Sequence, residues 1–235
     1  MENYIPRVME RGILKVSERF PVLLVTGPRQ VGKTTLLKKL CNEKREYVTL
    51  DDINLREYAR NEPKLFIQQY PPPILIDEIQ YAPELFPYIK ISVDQSGRGG
   101  DYWLTGSQQF HMMRHVTESL AGRAAIFNLL GFSAKERSGR QDISTPFLPK
   151  KGKDLGSNTN PDIVSLYKEI HRGSFPGSFD FDSDEISVFF SSYLQTYIQR
   201  DVRELTQVGD INSFTRFLKV CAARTGQLVN YTDIA

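Results

Sequence analysis

Short, unbroken apolar runs alternate with longer amphipathic stretches over the first 130 or so residues. Val22-Leu23-Leu24-Val25 and Ile74-Leu75-Ile76 contain no polar position at all. Runs this short without alternation predict strands buried on both faces, which is the signature of a parallel sheet. Tyr47–Leu50, Tyr102–Thr105 and Ala124–Leu130 predict three further strands. Between them, apolar side chains recur at helical spacing over 7–20, 33–40, 54–69 (interrupted at Pro63), 83–96 and 107–120. Pro71-Pro72-Pro73 rules out helix just before the Ile74 strand, and Gly97 to Gly100 marks a turn. Strands alternating with helices predict an α/β fold, a parallel sheet with helices on both faces.

The pattern breaks near Arg137. Residues 137–162 are rich in Ser, Gly, Pro and Lys and poor in bulky apolar groups, so they read as a linker or insertion. Helical spacing resumes at Ile163, runs through Ser183–Glu204 and reappears in Ile211–Arg224. The expected organisation is a sheet domain over 1–136, a linker over 137–162 and a helical region over 163–235.

Composition narrows the class only slightly. The chain has 235 residues, 40% hydrophobic and 25% charged, with a net charge of +2. That suits a soluble globular protein with a real core, and is a weak pointer to nucleic acid. Cys41 and Cys221 lie far apart, without metal-ligand spacing, and read as reduced packing residues. No apolar stretch approaches a membrane span, and MENYIPRVMERG has no signal-peptide core, so a cytoplasmic location is expected.

The chemistry sits where the first strand ends. Gly27-Pro28-Arg29-Gln30-Val31-Gly32-Lys33-Thr34-Thr35 matches the phosphate-binding loop pattern in full, with a strand before it and a helix after it. Its glycines let successive N–H groups turn into one concavity, and the helix N-terminus adds a positive dipole end. Lys33 is expected on the β- and γ-phosphates and the Thr34 hydroxyl on Mg²⁺. Arg29 lies inside the loop, with a phosphate contact and a neighbouring acid as its two readings. Asp77 and Glu78 end the Ile74 strand at the edge where open α/β sheets bind ligands. Asp77 is expected to hold Mg²⁺ through its waters, and Glu78 to polarise the attacking water as general base. An extra strand between the two motifs, an Asp-Glu pair and no Asn/Thr-Lys-x-Asp sequence favour ATP over GTP.

Leu104-Thr105-Gly106-Ser107-Gln108 ends the fourth strand, where a polar side chain would lie between the Asp-Glu pair and a γ-phosphate. Ser107 is the candidate and Thr105 the alternative, against an ordinary strand-end turn. Arg123, in Ser119-Leu120-Ala121-Gly122-Arg123, reads either as an arginine finger for a neighbouring subunit or as a surface ion pair. His111 and His115 are four residues apart but lack a third ligand; Met112 and Met113 read as packing. Arg200 and Arg203 read as a nucleotide sensor or as a solvated charged face. Asp51 and Asp52 stand near Mg²⁺ in one reading, while Asp52 caps a helix in the other.

GPRQVGKTT, ILIDEIQ, LTGSQQF and ESLAGR, in this order, resemble the prokaryotic AAA+-like P-loop ATPases whose sheet domain precedes a DUF4143 region. YIPR (Tyr4 to Arg7), TLDD (Thr49 to Asp52) and YLQTYIQRDV (Tyr193 to Val202) are similar to that family as well. The likeness covers most of the chain and is weakest over 137–162. It implies ATP binding and hydrolysis and leaves the client open, whether protein or DNA; a homo-oligomer is a separate expectation. Residues 226–235 look like the start of a winged-helix segment that continues in the family, so a shortened chain is expected. Two rivals remain: a module whose bound ATP only switches docking of the helical part, and a protein whose main task is DNA binding.

Overall fold

The computed structural model describes residues 4–41, 43, 45–107, 116, 118–139, 162–197, 210–228 and 230–234. They fall in two compact units, Met1–Asp180 and Phe181–Ala235.

The first unit is built on five parallel strands: β1 (Val22–Thr26), β2 (Glu46–Thr49), β3 (Ile74–Asp77), β4 (Tyr102–Gly106) and β5 (Ala124–Asn128). Their spatial order is β2-β3-β4-β1-β5. All four pairings are parallel, with Thr26 opposite Gly106 on one side and Asn128 on the other. β1 therefore lies inside the sheet, and its C-terminal end is flanked by those of β4 and β5.

The period of two along β1 explains why it had to be apolar throughout. Val22 and Leu24 enter one core with Ile74, Ile76, Phe66 and Phe86; Leu23 and Val25 enter the opposite core with Ile13, Leu36, Leu37 and Trp103. The first core is covered by α3 (Ile53–Asn61), α4 (Pro63–Gln69) and α5 (Leu85–Ser96), the second by α1 (Glu10–Ser17) and α2 (Lys33–Leu40). Each fully buried Leu or Ile contributes about 2 kcal/mol of transfer free energy. Local chemistry sets the helix limits. Asp52 caps α3 by accepting from the Asn54 and Leu55 backbone N–H groups at 2.8 and 3.1 Å. Pro63 opens α4 at a position that needs no N–H. Gly97 stops α5 in the left-handed region, φ 61°.

The same unit contains α6 (Ala134–Arg137) and α7 (Ile163–Arg172). Ser133 and Glu136 form a reciprocal capping box on α6. Arg137 donates to Gly173 O at 2.8 Å and pairs with Glu169 at 3.1 Å, which ties α6 to α7.

The second unit holds α8 (Ser183–Tyr197), α9 (Ile211–Ala223) and α10 (Tyr231–Ile234). Phe189, Tyr193 and Tyr197 stack at four-residue spacing along α8, with ring centroids 6.3 Å apart at each step. Asp210 caps α9 through the Asn212 N–H at 2.9 Å. Among the described residues no helix is long and apolar enough to cross a membrane.

Candidate active site

The loop after β1 has the backbone its glycines allow. Gly27 has φ 143° and Gly32 φ 89°, and Gln30 joins them in the left-handed region at φ 62°. A Cβ at Gly27 would meet the Leu129 carbonyl oxygen at 2.0 Å, so the residue just after β5 lies too close to the loop for any side chain. Gly32 is the N-cap of α2, and no side chain caps its first turn. Lys33 is buried and folds its ammonium back on the loop, donating to Gly27 O at 3.0 Å and Pro28 O at 2.8 Å. Val31 is buried in the core, Arg29 is half-buried, and Pro28, Gln30 and Thr35 are exposed.

Thr34 turns toward β3. Its hydroxyl donates to Asp77 Oδ1 at 2.7 Å, joining residues 43 apart in sequence. Thr105 Oγ1 donates to the same oxygen, and the Tyr47 hydroxyl donates to Asp77 Oδ2 at 3.1 Å. Asp77 is itself buried, so these three donors stand in for the water its charge has lost. Burial, with the Asp77 carboxylate close by, pushes the Tyr47 phenol up to about 12, and it stays a donor. A hydroxyl and a single carboxylate converging beneath a phosphate loop suit Mg²⁺, which takes few protein ligands and completes its shell with water and phosphate oxygens.

Glu78 follows in the left-handed conformation, φ 58° and ψ 46°, and a short 3₁₀ turn over Ile79–Tyr81 comes next. Its N–H donates to Thr105 Oγ1 at 3.1 Å. Its Oε2 accepts from Ser107 Oγ at 3.2 Å and from Gln80 Nε2. Thr105 and Ser107 thus divide the work at the end of β4: Thr105 serves Asp77 and the Glu78 backbone, Ser107 the Glu78 carboxylate.

Arg123 is not part of this cluster. It immediately precedes β5, at the opposite end of the sheet from the loop, and grips Asp94 of α5 with two bonds of 2.5 and 2.9 Å. Asp52 is spent on its helix cap. His111, Met112, Met113, His115, Arg200 and Arg203 lie outside the described residues, as do 140–161 of the expected linker and most of the expected 107–120 helix.

A cavity of about 460 Å³ opens beside the loop, lined among others by Tyr4, Pro6, Phe132, Glu136, Pro176 and Phe179. Pro176, one of its lining residues, has its Cγ 3.9 Å from where a Cβ on Gly32 would stand. Arg7 joins the two. It pairs with Glu136 at 3.1 Å, donates to Val31 O at 3.0 Å and Leu130 O at 2.7 Å, and lies over the Phe132 ring at 4.8 Å.

Three contributors carried no role in the sequence: Tyr47, Gln80 and Arg7. Gln80 and Arg7 stood inside recognised motifs, ILIDEIQ and YIPR. Tyr47 had no signal beyond a hydroxyl on a short strand that also carries Glu46 and Thr49.

A family model described as an AAA domain matches residues 19–138, just over half of the chain. The chain belongs to this AAA domain family. The match takes in every element of the cluster, from the phosphate loop to Ser107. A second model, a domain of unknown function designated DUF8612, matches residues 164–235, where the resemblance had implied DUF4143. Two curated mycobacterial relatives, the uncharacterized proteins Rv2008c of Mycobacterium tuberculosis and Mb2031c of Mycobacterium bovis, are 30% identical over 219 residues. The alignment takes in 92% of this chain but only 44% of each relative, so the chain spans less than half their length. Among solved structures, the Walker-type ATPase PABY2304 of Pyrococcus abyssi superposes with a TM-score of 0.56 at 15% identity, covering 92% of this chain and 78% of that one. That likeness and the sheet order establish the fold as an α/β P-loop NTPase.

Proposed function

We propose that this AAA-domain chain binds ATP with Mg²⁺ on residues 27–35 and hydrolyses it, the hydrolysis driving a conformational change. The observation that carries the proposal is the junction of Thr34 and Asp77 at 2.7 Å beneath the loop, with the Glu78 carboxylate anchored next to it by Ser107. The loop N–H groups and the α2 N-terminus supply the anion site. Lys33 exchanges the Gly27 and Pro28 carbonyls for the more strongly charged phosphate oxygens. Thr34, and Asp77 through water, would hold Mg²⁺, which when bound offsets phosphate charge. Glu78 takes the proton of the attacking water, and Ser107 lies where it can report on the γ-phosphate through that carboxylate. The cavity lined by Tyr4, Phe132 and Phe179 has the size and aromatic walls for a purine. Family membership supports nucleotide binding by this fold.

The test is Mg²⁺-dependent phosphate release from ATP over a range of protein concentrations. Glu78→Gln is expected to lower turnover about 100-fold or more while ATP still binds. Lys33→Ala is expected to abolish binding and release together. ATP binding that needs Lys33 but yields no phosphate in the unaltered chain would reject hydrolysis and leave a nucleotide-controlled docking switch. An affinity for duplex DNA that falls steeply with salt, independent of ATP, would favour the DNA-binding alternative.

A further inference from the structure

We propose that Gln80 is a positioning residue that fixes the Glu78 carboxylate for hydrolysis; this rests on Glu78 being the general base. The turn carrying Gln80 is itself anchored. Ile79 is fully buried in the core, Tyr81 N donates to Glu78 O at 3.0 Å, and Arg60 Nε donates to Tyr81 O. The left-handed backbone at Glu78, uncommon for a side chain of this kind, folds the chain so that residue 80 returns to residue 78.

The side-chain amide then closes a triangle. Gln80 Nε2 donates to Glu78 Oε2 and, at 3.3 Å, to Ser107 Oγ, while Ser107 Oγ donates to Glu78 Oε2 at 3.2 Å. Every hydrogen has an acceptor in this order. The opposite end of the amide shows what sets its orientation. Gln80 Oε1 is buried and has no hydrogen-bond partner among the described residues. A flipped amide would bring that oxygen against a carboxylate oxygen, so the charge on Glu78 dictates the orientation and outweighs the cost of an orphaned acceptor. The consequence is a division of the carboxylate. Oε2 is held by two donors, while Oε1 has no protein donor among the described residues and is left to accept from water. Gln80 is neutral and takes no proton itself; it acts through Glu78 alone.

The experiment is a double-mutant cycle on phosphate release with Gln80→Met, which keeps the side-chain length and removes the amide, and Glu78→Gln. Gln80→Met is expected to lower kcat about tenfold to a hundredfold, with nucleotide Kd within about twofold of the unaltered chain. In the Glu78→Gln background it is expected to change kcat by less than about twofold. An unchanged kcat, a raised KM at constant kcat, or the same loss in both backgrounds would overturn the proposal. If Glu78→Gln itself turns over at the unaltered rate, the base assignment has failed, which is a separate result. A readout independent of turnover is the side-chain amide NMR signal of Gln80, identified by its disappearance in Gln80→Met. Glu78→Ala is expected to shift it, and a signal that stays in place would refute the contact even if a Gln80 variant folds poorly.

Discussion

At the residue scale, the site depends on positions where one atom more would not fit. Gly27→Ala combines a φ of 143° with a Cβ 2.0 Å from the Leu129 carbonyl. Backbone strain and overpacking add, and the expected loss is about 3 kcal/mol. Gly97→Ala is the control: its φ is 61° but nothing lies within 4 Å, so only the left-handed penalty of about 1 kcal/mol applies. Urea unfolding at constant m-value separates the two, and equal midpoints would refute the close approach of Leu129. Tyr47 is the chemical counterpart. Its hydroxyl is the described donor to Asp77 Oδ2, and removing it in Tyr47→Phe leaves that oxygen short of a partner. In the proposed reaction the variant should need about tenfold more Mg²⁺ for half-maximal phosphate release.

At the element scale, one ion pair links the N-terminal segment, the phosphate loop and α6. Arg7 and Glu136 are 5% and 7% exposed, so neither can turn to water if its partner is lost. Arg7→Met is expected to cost about 3–5 kcal/mol because it strands a buried carboxylate, and Glu136→Gln added to it should recover part of that loss. Burial works against the Glu136 charge, but hydrogen bonds from the Ser133 and Val8 N–H groups and from Arg7 outweigh it and hold the carboxyl below its ordinary 4.5. A depressed folded value means the unfolded chain takes up the proton first as pH falls. The stabilisation is complete above about 4.5 and is lost as pH drops through the folded value. Glu136→Gln should therefore flatten the stability profile in that acid window and leave its slope at neutral pH alone. Acid unfolding curves that run parallel in both proteins would contradict it. Elements of this kind mark the limit of what was legible beforehand. The limits of β1 and α2 followed directly from an apolar run, a glycine and a lysine, because both depend on local chemistry. That Thr34, Asp77 and Glu78 would stand together at the end of β3 was legible for the same reason, from two short motifs. The roles of Arg7, Tyr47 and Gln80, and the four-residue helix α6, were not, because each follows from contacts between segments far apart in sequence or from a turn too short to show a period.

At the scale of the whole molecule, the polarity of the sheet decides what Arg123 can reach. All five strands run the same way, so the phosphate loop, Asp77 and Ser107 gather at one edge and Arg123 lies at the other. The four steps from Ala124 to Asn128 alone span about 13 Å. Arg123 cannot touch a phosphate on its own loop, and any action on phosphate chemistry must be on a second copy of the chain. Its present partner does not forbid that: Arg123 and Asp94 are 34% and 44% exposed, and an ion pair so open to solvent is easily exchanged. Under the proposed function, Arg123→Ala should lower turnover by up to about 10³-fold while ATP binding stays intact. Asp94→Asn, which removes the opposing charge and one of the two acceptors, should leave turnover at or above the unaltered level. Mixing supplies the decisive arm. Arg123→Ala chains keep a sound ATP site, Lys33→Ala chains keep a sound arginine, and each alone should be nearly inactive. Combined, they should regain phosphate release that grows faster than linearly with concentration, since only a mixed contact pairs a working site with a working arginine. Arg123→Ala turning over at the unaltered rate would sink the idea at once, and a mixture no more active than its parts would show that the arginine serves only its bond to Asp94.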